Sequence, residues 1–164
     1  MNASHAHSPW PAPSILDLAD SALRPLDSAS DLRLAAPLMQ QLRPQLDGAA
    51  EFAARVQRQR LQGYQLIGAF APDGSLAALA GYRLQENLIY GRFLYVDDLV
   101  TDASRRGGQW GARLLQGLER VARAAGCAQL VLDTGLANAR AQRFYFRAGL
   151  YTGALRFQKM LGGG

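Results

Sequence analysis

Hydrophobic residues recur along this chain in two different periods, and the change of period divides it. Leu32, Leu34, Ala35, Leu38, Met39 and Leu42 fall at helical spacing behind Ser28, Ser30 and Asp31, whose short polar side chains suit a helix start. Pro37 lies inside that run and predicts a kink or a break into two short helices. A second helix is predicted over about Ala49 to Gln62, with Phe52, Val56 and Leu61 toward one side and Gly63 as its stop. The period then shortens. Tyr64 to Ala71 and Leu76 to Leu84 are apolar runs of strand length, joined by the turn residues Pro72-Asp73-Gly74. Phe93 to Val100, rich in aromatic and β-branched residues, reads as a central strand, and Ser21 to Leu26 as a short one ahead of the helices.

After a segment crowded with Gly and Arg, Thr101 to Gly111, helical spacing returns. Leu114, Leu115, Leu118, Val121 and Ala122 form one stripe that reaches about Ala125 and stops at Gly126. Gln129 to Asp133 reads as a short buried strand. Asn138 is placed to cap a further helix with Ala141, Phe144, Tyr145 and Ala148 on its inner face and Gly149 as its stop. A last strand is predicted over about Ala154 to Leu161. The sum is an α/β (α+β) fold, a central mixed β-sheet flanked by helices, with one strand, loop, helix, strand crossover. Pro9, Pro11 and Pro13 make residues 1–13 a flexible tail by expectation, ahead of a single domain over 14–164.

Composition narrows the chemistry more than the fold. With 49% hydrophobic and 19% charged residues, 164 residues suffice for one well-packed domain. No apolar run approaches the roughly 20 residues of a membrane span, and the start of the chain lacks a basic then apolar leader, so no membrane association and a cytoplasmic location are expected. The single cysteine, Cys127, rules out an internal disulfide framework and reads as a small buried residue. The histidines, His5 and His7, both fall in the tail, which leaves a serine or cysteine nucleophile without a histidine base and disfavours a zinc centre; no metal is expected.

The net charge of +5 is unevenly spread. Ten basic residues against Glu119 and Asp133 give +8 between Arg105 and Lys159, which leaves −3 elsewhere. That asymmetry points to a polyanionic partner, either nucleic acid or a phosphate-bearing cofactor. The segment best suited to phosphate is Arg105-Arg106-Gly107-Gly108-Gln109-Trp110-Gly111-Ala112, where a strand feeds a glycine-rich loop that opens a helix. Unpaired amides of a first helical turn and the helix dipole both favour an anion there. Neither the Gly-Lys-Ser/Thr of a nucleoside triphosphate loop nor the G-x-G-x-x-G of a dinucleotide fold occurs in it.

Three pieces in order then resemble the GNAT superfamily of acyl-CoA-dependent N-acyltransferases: YVDDLVTD (95–102), RRGGQWGARLL (105–115) and NARAQRFYFRAGL (138–150). The last is similar to the family's N-x-x-A-x-x-F-Y-x-x-x-G-[FL] pattern at Asn138, Ala141, Phe144, Tyr145, Gly149 and Leu150. The family's [QR]-x-x-G-x-[GA] loop aligns from Arg105 when counted from the strand and from Arg106 when counted back from the helix. Gln109 or Trp110 accordingly stands where a small residue is usual.

The resemblance implies acetyl-CoA as co-substrate, with its diphosphate on Arg105 to Ala112, its thioester beside the backbone N–H groups of Leu99 and Val100, and its pantetheine arm near Asn138. It implies a departing sulfur beside Tyr145. A phenol near 10 is a weaker acid than a thiol near 8.5, so a hydrogen bond to the thiolate is as good a role for Tyr145 as proton donation. An amine with a pKa near 10.4 is free base in only about one molecule per few thousand at neutral pH and needs a proton acceptor. Strand alternation sends Asp97 and Asp98 to opposite faces, and Asp98 is favoured. A small amine or amino-acid-like acceptor is expected first and a protein amine second. A non-catalytic acyl-CoA-binding regulatory domain and a basic nucleic-acid-binding module are the alternatives, the latter without a nucleic-acid motif. A homodimer is left open.

Overall fold

A computed structural model describes residues 20–162. The expected tail, His5 and His7 lie outside the described residues. β1 (Leu23–Pro25) leads to α1 (Ala29–Leu42) and α2 (Gly48–Arg60), then to β2 (Gln65–Phe70), β3 (Leu76–Asn87) and β4 (Gly91–Thr101). A 3-10 turn at Ala103–Arg105 precedes α3 (Trp110–Ala124), β5 (Gln129–Leu132) and α4 (Ala139–Arg147). The chain divides after Leu132 into two compact units, the first holding the sheet with α1 to α3 and the second holding α4. Among the described residues no helix is long and apolar enough to cross a membrane.

The strands lie in the order β1-β2-β3-β4-β5, antiparallel up to β4 and parallel between β4 and β5. The β4-α3-β5 passage is therefore the crossover that the sequence predicts, since parallel neighbours need a helix-length return. Each face of the sheet is sealed by its own helices. Leu114, Leu118 and Val121 of α3 pack against Ala78, Ala80, Leu94 and Val96. Leu32, Met39, Phe52 and Val56 of α1 and α2 pack against Leu66, Leu79 and Val100 on the other face. The alternation of Ala78, Leu79 and Ala80 between the two cores is the period-two pattern of a central strand.

Two expectations change. Pro37 lies within one unbroken helix. The proline removes one intrahelical bond, but it is exposed, as is Arg33 one turn earlier, so the stranded carbonyl meets water while Leu32, Ala35, Ala36, Leu38 and Met39 hold the buried side. The predicted last strand is absent: residues 150–161 carry no regular structure, and Leu155, Phe157, Met160 and Leu161 are exposed. Alternating apolar residues make a strand only where a partner edge takes up the backbone bonds, and none pairs there.

The start of α1 carries a capping box in which Ser28 Oγ accepts from the Asp31 amide at 3.0 Å and Asp31 Oδ2 accepts from the Ser28 amide at 3.0 Å. Arg24 adds a 2.8 Å bond to Asp31 Oδ1. Burial works against the charge on Asp31, but the bonds from Ser28 and Arg24 outweigh it and hold the carboxyl at about 2, below the usual 3.8. A carboxyl lowered by folding stabilises above its unfolded pKa and loses that contribution as pH falls through the folded one. Asp31→Ala is expected to lower stability by about 1–2 kcal/mol at neutral pH. In urea titrations the gap should narrow as pH falls from 3.8 toward 2.

Candidate active site

Leu94 and Val96 belong to the α3 core, whereas Val100, an even number of residues further on, belongs to the α1/α2 core. An unbroken strand would keep them on one face. The parity flips because β4 bulges against the Gly81/Tyr82 step of β3: Tyr82 pairs with Val96 and Gly81 with Asp98, leaving Asp97 without a partner of its own. A bulge re-aims the side chains around it. Asp97 and Asp98 therefore both reach α1/α2-side residues, which corrects the expectation of opposite faces. Asp98 Oδ1 accepts from Arg43 Nε at 2.8 Å and Oδ2 accepts from the Tyr64 hydroxyl at 2.7 Å. Asp97 Oδ2 accepts from Arg83 Nε at 3.2 Å, and the same guanidinium donates to Gln59 in the last turn of α2 and to Gln62 just beyond it.

The two carboxylates differ in what they have left. Arg43 Nη2 also stands 2.8 Å from Asp98 Oδ1, so both oxygens of Asp98 are engaged by side chains. Asp97 Oδ1 has no hydrogen-bond partner among the described residues. Burial pushes the Asp97 carboxyl up from its usual value; Arg83 and Arg43 oppose that shift and the neighbouring Asp98 adds to it. Tyr64 is held well above an ordinary phenol by its own burial and then by the Asp98 charge, so it keeps its proton and acts as a donor.

Tyr64 reaches Asp98 across a glycine. A Cβ built on Gly81 would fall 2.0 Å from the Tyr64 hydroxyl and 2.5 Å from Cζ. Gly81→Ala is therefore expected to displace a buried ring and lower stability by about 1–3 kcal/mol, read as a smaller urea midpoint at unchanged slope. A pocket of about 130 Å³ opens beside this group between α1, α2 and β4. Met39, Leu46, Phe52 and Val56 give it an apolar wall, and Arg43, Arg55, Gln59 and Asp98 are among its polar lining.

On its other edge β4 has no strand partner beyond Val96 among the described residues. Pairing with β5 ends at Val96 with Leu132, so Leu99 and Val100 continue along a stretch with no β5 partner. Successive amides of a strand point to alternate sides, so one of these two faces away from β3. The strand then runs into the glycine-rich loop. Asp102 caps the 3-10 turn through the Ser104 amide, and Gln41 of α1 bonds both Asp102 Oδ2 and the Ala103 amide. Arg105 is turned to the β2-β3 turn, donating to Ser75 Oγ at 2.6 Å and Asp73 at 3.2 Å. Gly107 takes φ +90 and Gln109 the left-handed φ +60. The first backbone bond into α3 is Arg113 to Gln109 at 3.0 Å, so the amides of Trp110, Gly111 and Ala112 precede it, and neither a capping side chain nor an acidic residue occupies that end. The Trp110 indole lies against Gly108, where a Cβ would meet Nε1 at 2.7 Å. Arg113 covers the ring at 5.3 Å and is itself forked onto Asp20 at 3.0 and 3.1 Å. Arg106 is exposed.

In the second unit Asn138 caps α4, its Oδ1 accepting from the Ala141 amide at 3.1 Å. Gln142 ties the helix to the carbonyls of Gly135 and Leu136 at 3.2 and 2.8 Å. Tyr145 is half-buried beside Phe144, ring centres 5.3 Å apart, and burial raises its phenol. Sequence reasoning missed Arg43, Tyr64 and Arg83. Gly81 was the available signal, since a glycine inside a strand marks a bulge or a close approach.

Residues 33–150 match the Acetyltransferase (GNAT) family. A Bacillus subtilis protein, YhdJ, described as an uncharacterized N-acetyltransferase, is 28% identical over 123 residues, 75% of this chain and 86% of its own. The fold is similar to that of the ribosomal-protein-alanine N-acetyltransferase of Brucella melitensis, with a TM-score of 0.73 at 18% identity, over 85% of this chain and 98% of that one. It is also similar to AAC(6')-Iy, solved with the bisubstrate analogue CoA-S-monomethyl-acetylneamine, with a TM-score of 0.71 at 17% identity, over 84% and 97% of the two chains.

Proposed function

This chain belongs to the GNAT acetyltransferase family, and on that premise we propose that it transfers the acetyl group of acetyl-CoA to the primary amine of a small, amino-acid-like molecule by direct attack. It is an acyltransferase, and the family uses acetyl-CoA as donor. The observation that carries the reading is the run from the open edge of β4 into an uncapped helix start. Donors for a carbonyl oxygen and donors for a diphosphate thereby lie on one continuous stretch of backbone.

In this reading the amides of Trp110, Gly111 and Ala112, with Gly107 and Gly108 allowing close approach, hold the diphosphate. Gln109 contributes the left-handed turn that aims them, and Arg106 adds charge at the rim. Arg105 acts indirectly, by fixing the loop to the β2-β3 turn. The outward amide of Leu99 or Val100 stabilises the charge that develops on the carbonyl oxygen. Asn138 positions α4 and lies along the pantetheine arm. Tyr145, with its phenol raised, holds its proton and donates a hydrogen bond to the departing sulfur.

As the C–N bond forms and the C–S bond breaks, an acceptor that began as an ammonium loses two protons. One ends on the thiol; the other needs a base. Asp98, engaged on both oxygens, acts as a positioning residue, and the open Asp97 Oδ1 receives the proton and passes it to water. The small pocket favours a small acceptor over a protein chain. Acetyl-CoA should raise the melting temperature by mass action, and thiol should appear when amines are added. A chain that gains no thermal stability from any CoA species would end this reading.

A further inference from the structure

In the pocket between α1, α2 and β4 the carboxylate is engaged, while guanidinium donors are left over. Asp98 takes Arg43 on one oxygen and Tyr64 on the other, and Gln59 Oε1 takes Arg83. The remaining capacity runs the other way. Arg43 uses Nε and Nη2, and Arg55 uses Nε and Nη2 on Glu51. Neither Nη1 has a partner among the described residues, nor do the amide nitrogens of Gln45 and Gln59. Arg43 and Arg55 come from separate helices yet line the same pocket, with side chains 43% and 46% exposed. A guanidinium presents a fork of donors and no acceptor, so what completes such a lining is a group of anionic oxygens. An ammonium finds no unengaged carboxylate there.

We infer that this pocket binds an anionic oxygen group, a carboxylate or a phosphate, carried by the amine acceptor, with Arg43 and Arg55 as its recognition pair. The inference rests on the acetyltransferase reading and refines its substrate class. Met39, Leu46, Phe52 and Val56 take the acceptor's apolar body, while its amine extends past Asp98 toward the open edge of β4. Arg43 also fixes Asp98 and the Asp97 carbonyl, the latter at 3.0 Å, so seating the anion and holding the bulge share one side chain. Arg55 is the cleaner residue to change, because among the described residues its only side-chain partner is Glu51, one turn away on the helix surface.

The test compares matched amines in a thiol-release assay with acetyl-CoA: leucine against 3-methylbutylamine, and O-phosphoethanolamine against ethanolamine. The full chain should prefer the anionic member of at least one pair by about tenfold or more in kcat/KM, the size expected of a charge-assisted pair. The pair that discriminates identifies the group. Arg55→Gln should shrink that ratio by about tenfold. Ratios near one, a preference for the uncharged partners, or a ratio that Arg55→Gln leaves intact would overturn the inference. Thermal shifts with N-acetyl-leucine against N-(3-methylbutyl)acetamide, and with N-acetyl-O-phosphoethanolamine against N-acetylethanolamine, decide the same point when turnover is slow, since the anionic product of at least one pair should stabilise and the neutral ones should not. A missing thermal shift with acetyl-CoA would count against the acetyltransferase reading, whereas a normal one with indifferent ratios would count against this inference alone.

Discussion

Gly107→Val is expected to remove almost all of the thermal stabilisation that acetyl-CoA gives the wild-type chain. Gly107 sits at φ +90 in an exposed loop with nothing within 4 Å of a built Cβ, so the change meets no steric neighbour and acts through the backbone alone. A β-branched residue forced to positive φ costs on the order of 1–3 kcal/mol, and the loop escapes that strain by re-aiming its peptide groups. Each amide turned away from a diphosphate forfeits a charge-assisted bond of about 1.5–3 kcal/mol, so losing one or two raises Kd by about a hundredfold.

The readout follows by mass action. At a concentration near a hundred times the wild-type Kd, ligand adds about 2.7 kcal/mol of stability. For a chain of this length that is a rise of roughly 5–10 °C. The variant at the same concentration sits near its own Kd, where the gain is about 0.4 kcal/mol and the rise about 1 °C. Gly48→Val is the control: Gly48, the first residue of α2, has φ +79 and similar open space, so it carries comparable strain away from the loop. It should lower the apo melting temperature and leave the ligand-induced rise in place. A full acetyl-CoA shift in Gly107→Val would place the diphosphate elsewhere.

What the sequence made legible and what it hid separate along one line, the distance over which a residue finds its partner. The loop, the start of α3 and the Asn138 cap are local: glycine, an apolar stripe and a capping side chain act within a few positions, so their types announce them. The acidic pair was read by the same local logic and came out on opposite faces, because alternation assumes an unbroken strand. The bulge that defeats it is set by the partner strand, where Gly81 leaves room for Tyr64. The bonds that then define the site join residues 34 positions apart for Tyr64 and Asp98 and 55 apart for Arg43 and Asp98. The last strand failed in the opposite sense: its alternation is visible at Leu155 and Phe157, but a strand also needs an edge to bond, and the period says nothing of where that edge is.

Because that bulge leaves one carboxylate oxygen open, Asp97→Asn should be the most damaging conservative change for turnover. General bases contribute about 10²–10⁴-fold, so kcat/KM should fall by about a hundredfold or more at neutral pH while the acetyl-CoA thermal shift is retained. The pH profile separates this from a structural effect. Wild-type activity requires the ionised carboxylate and should decline as pH falls through the raised Asp97 pKa, whose main cause is burial. The acceptor's own amine, near 8 at a chain terminus and higher in a free amino acid or an alkyl amine, gives the upper limb on the alkaline side. Asparagine does not titrate, so the lower limb should vanish, whereas Asp98→Asn should keep it and instead lower stability by leaving a single acceptor oxygen for the two donors Arg43 and Tyr64. Stability gives an independent sign. A carboxyl whose pKa rises on folding binds protons more tightly in the native state, so its ionised form costs stability above that pKa, and a neutral amide still offers an oxygen to Arg83. Asp97→Asn should therefore unfold at a urea concentration equal to or higher than wild type at pH 7, pairing lost turnover with undiminished stability. An Asp97→Asn enzyme that keeps both its rate and its acid limb would move the proton acceptor off this strand.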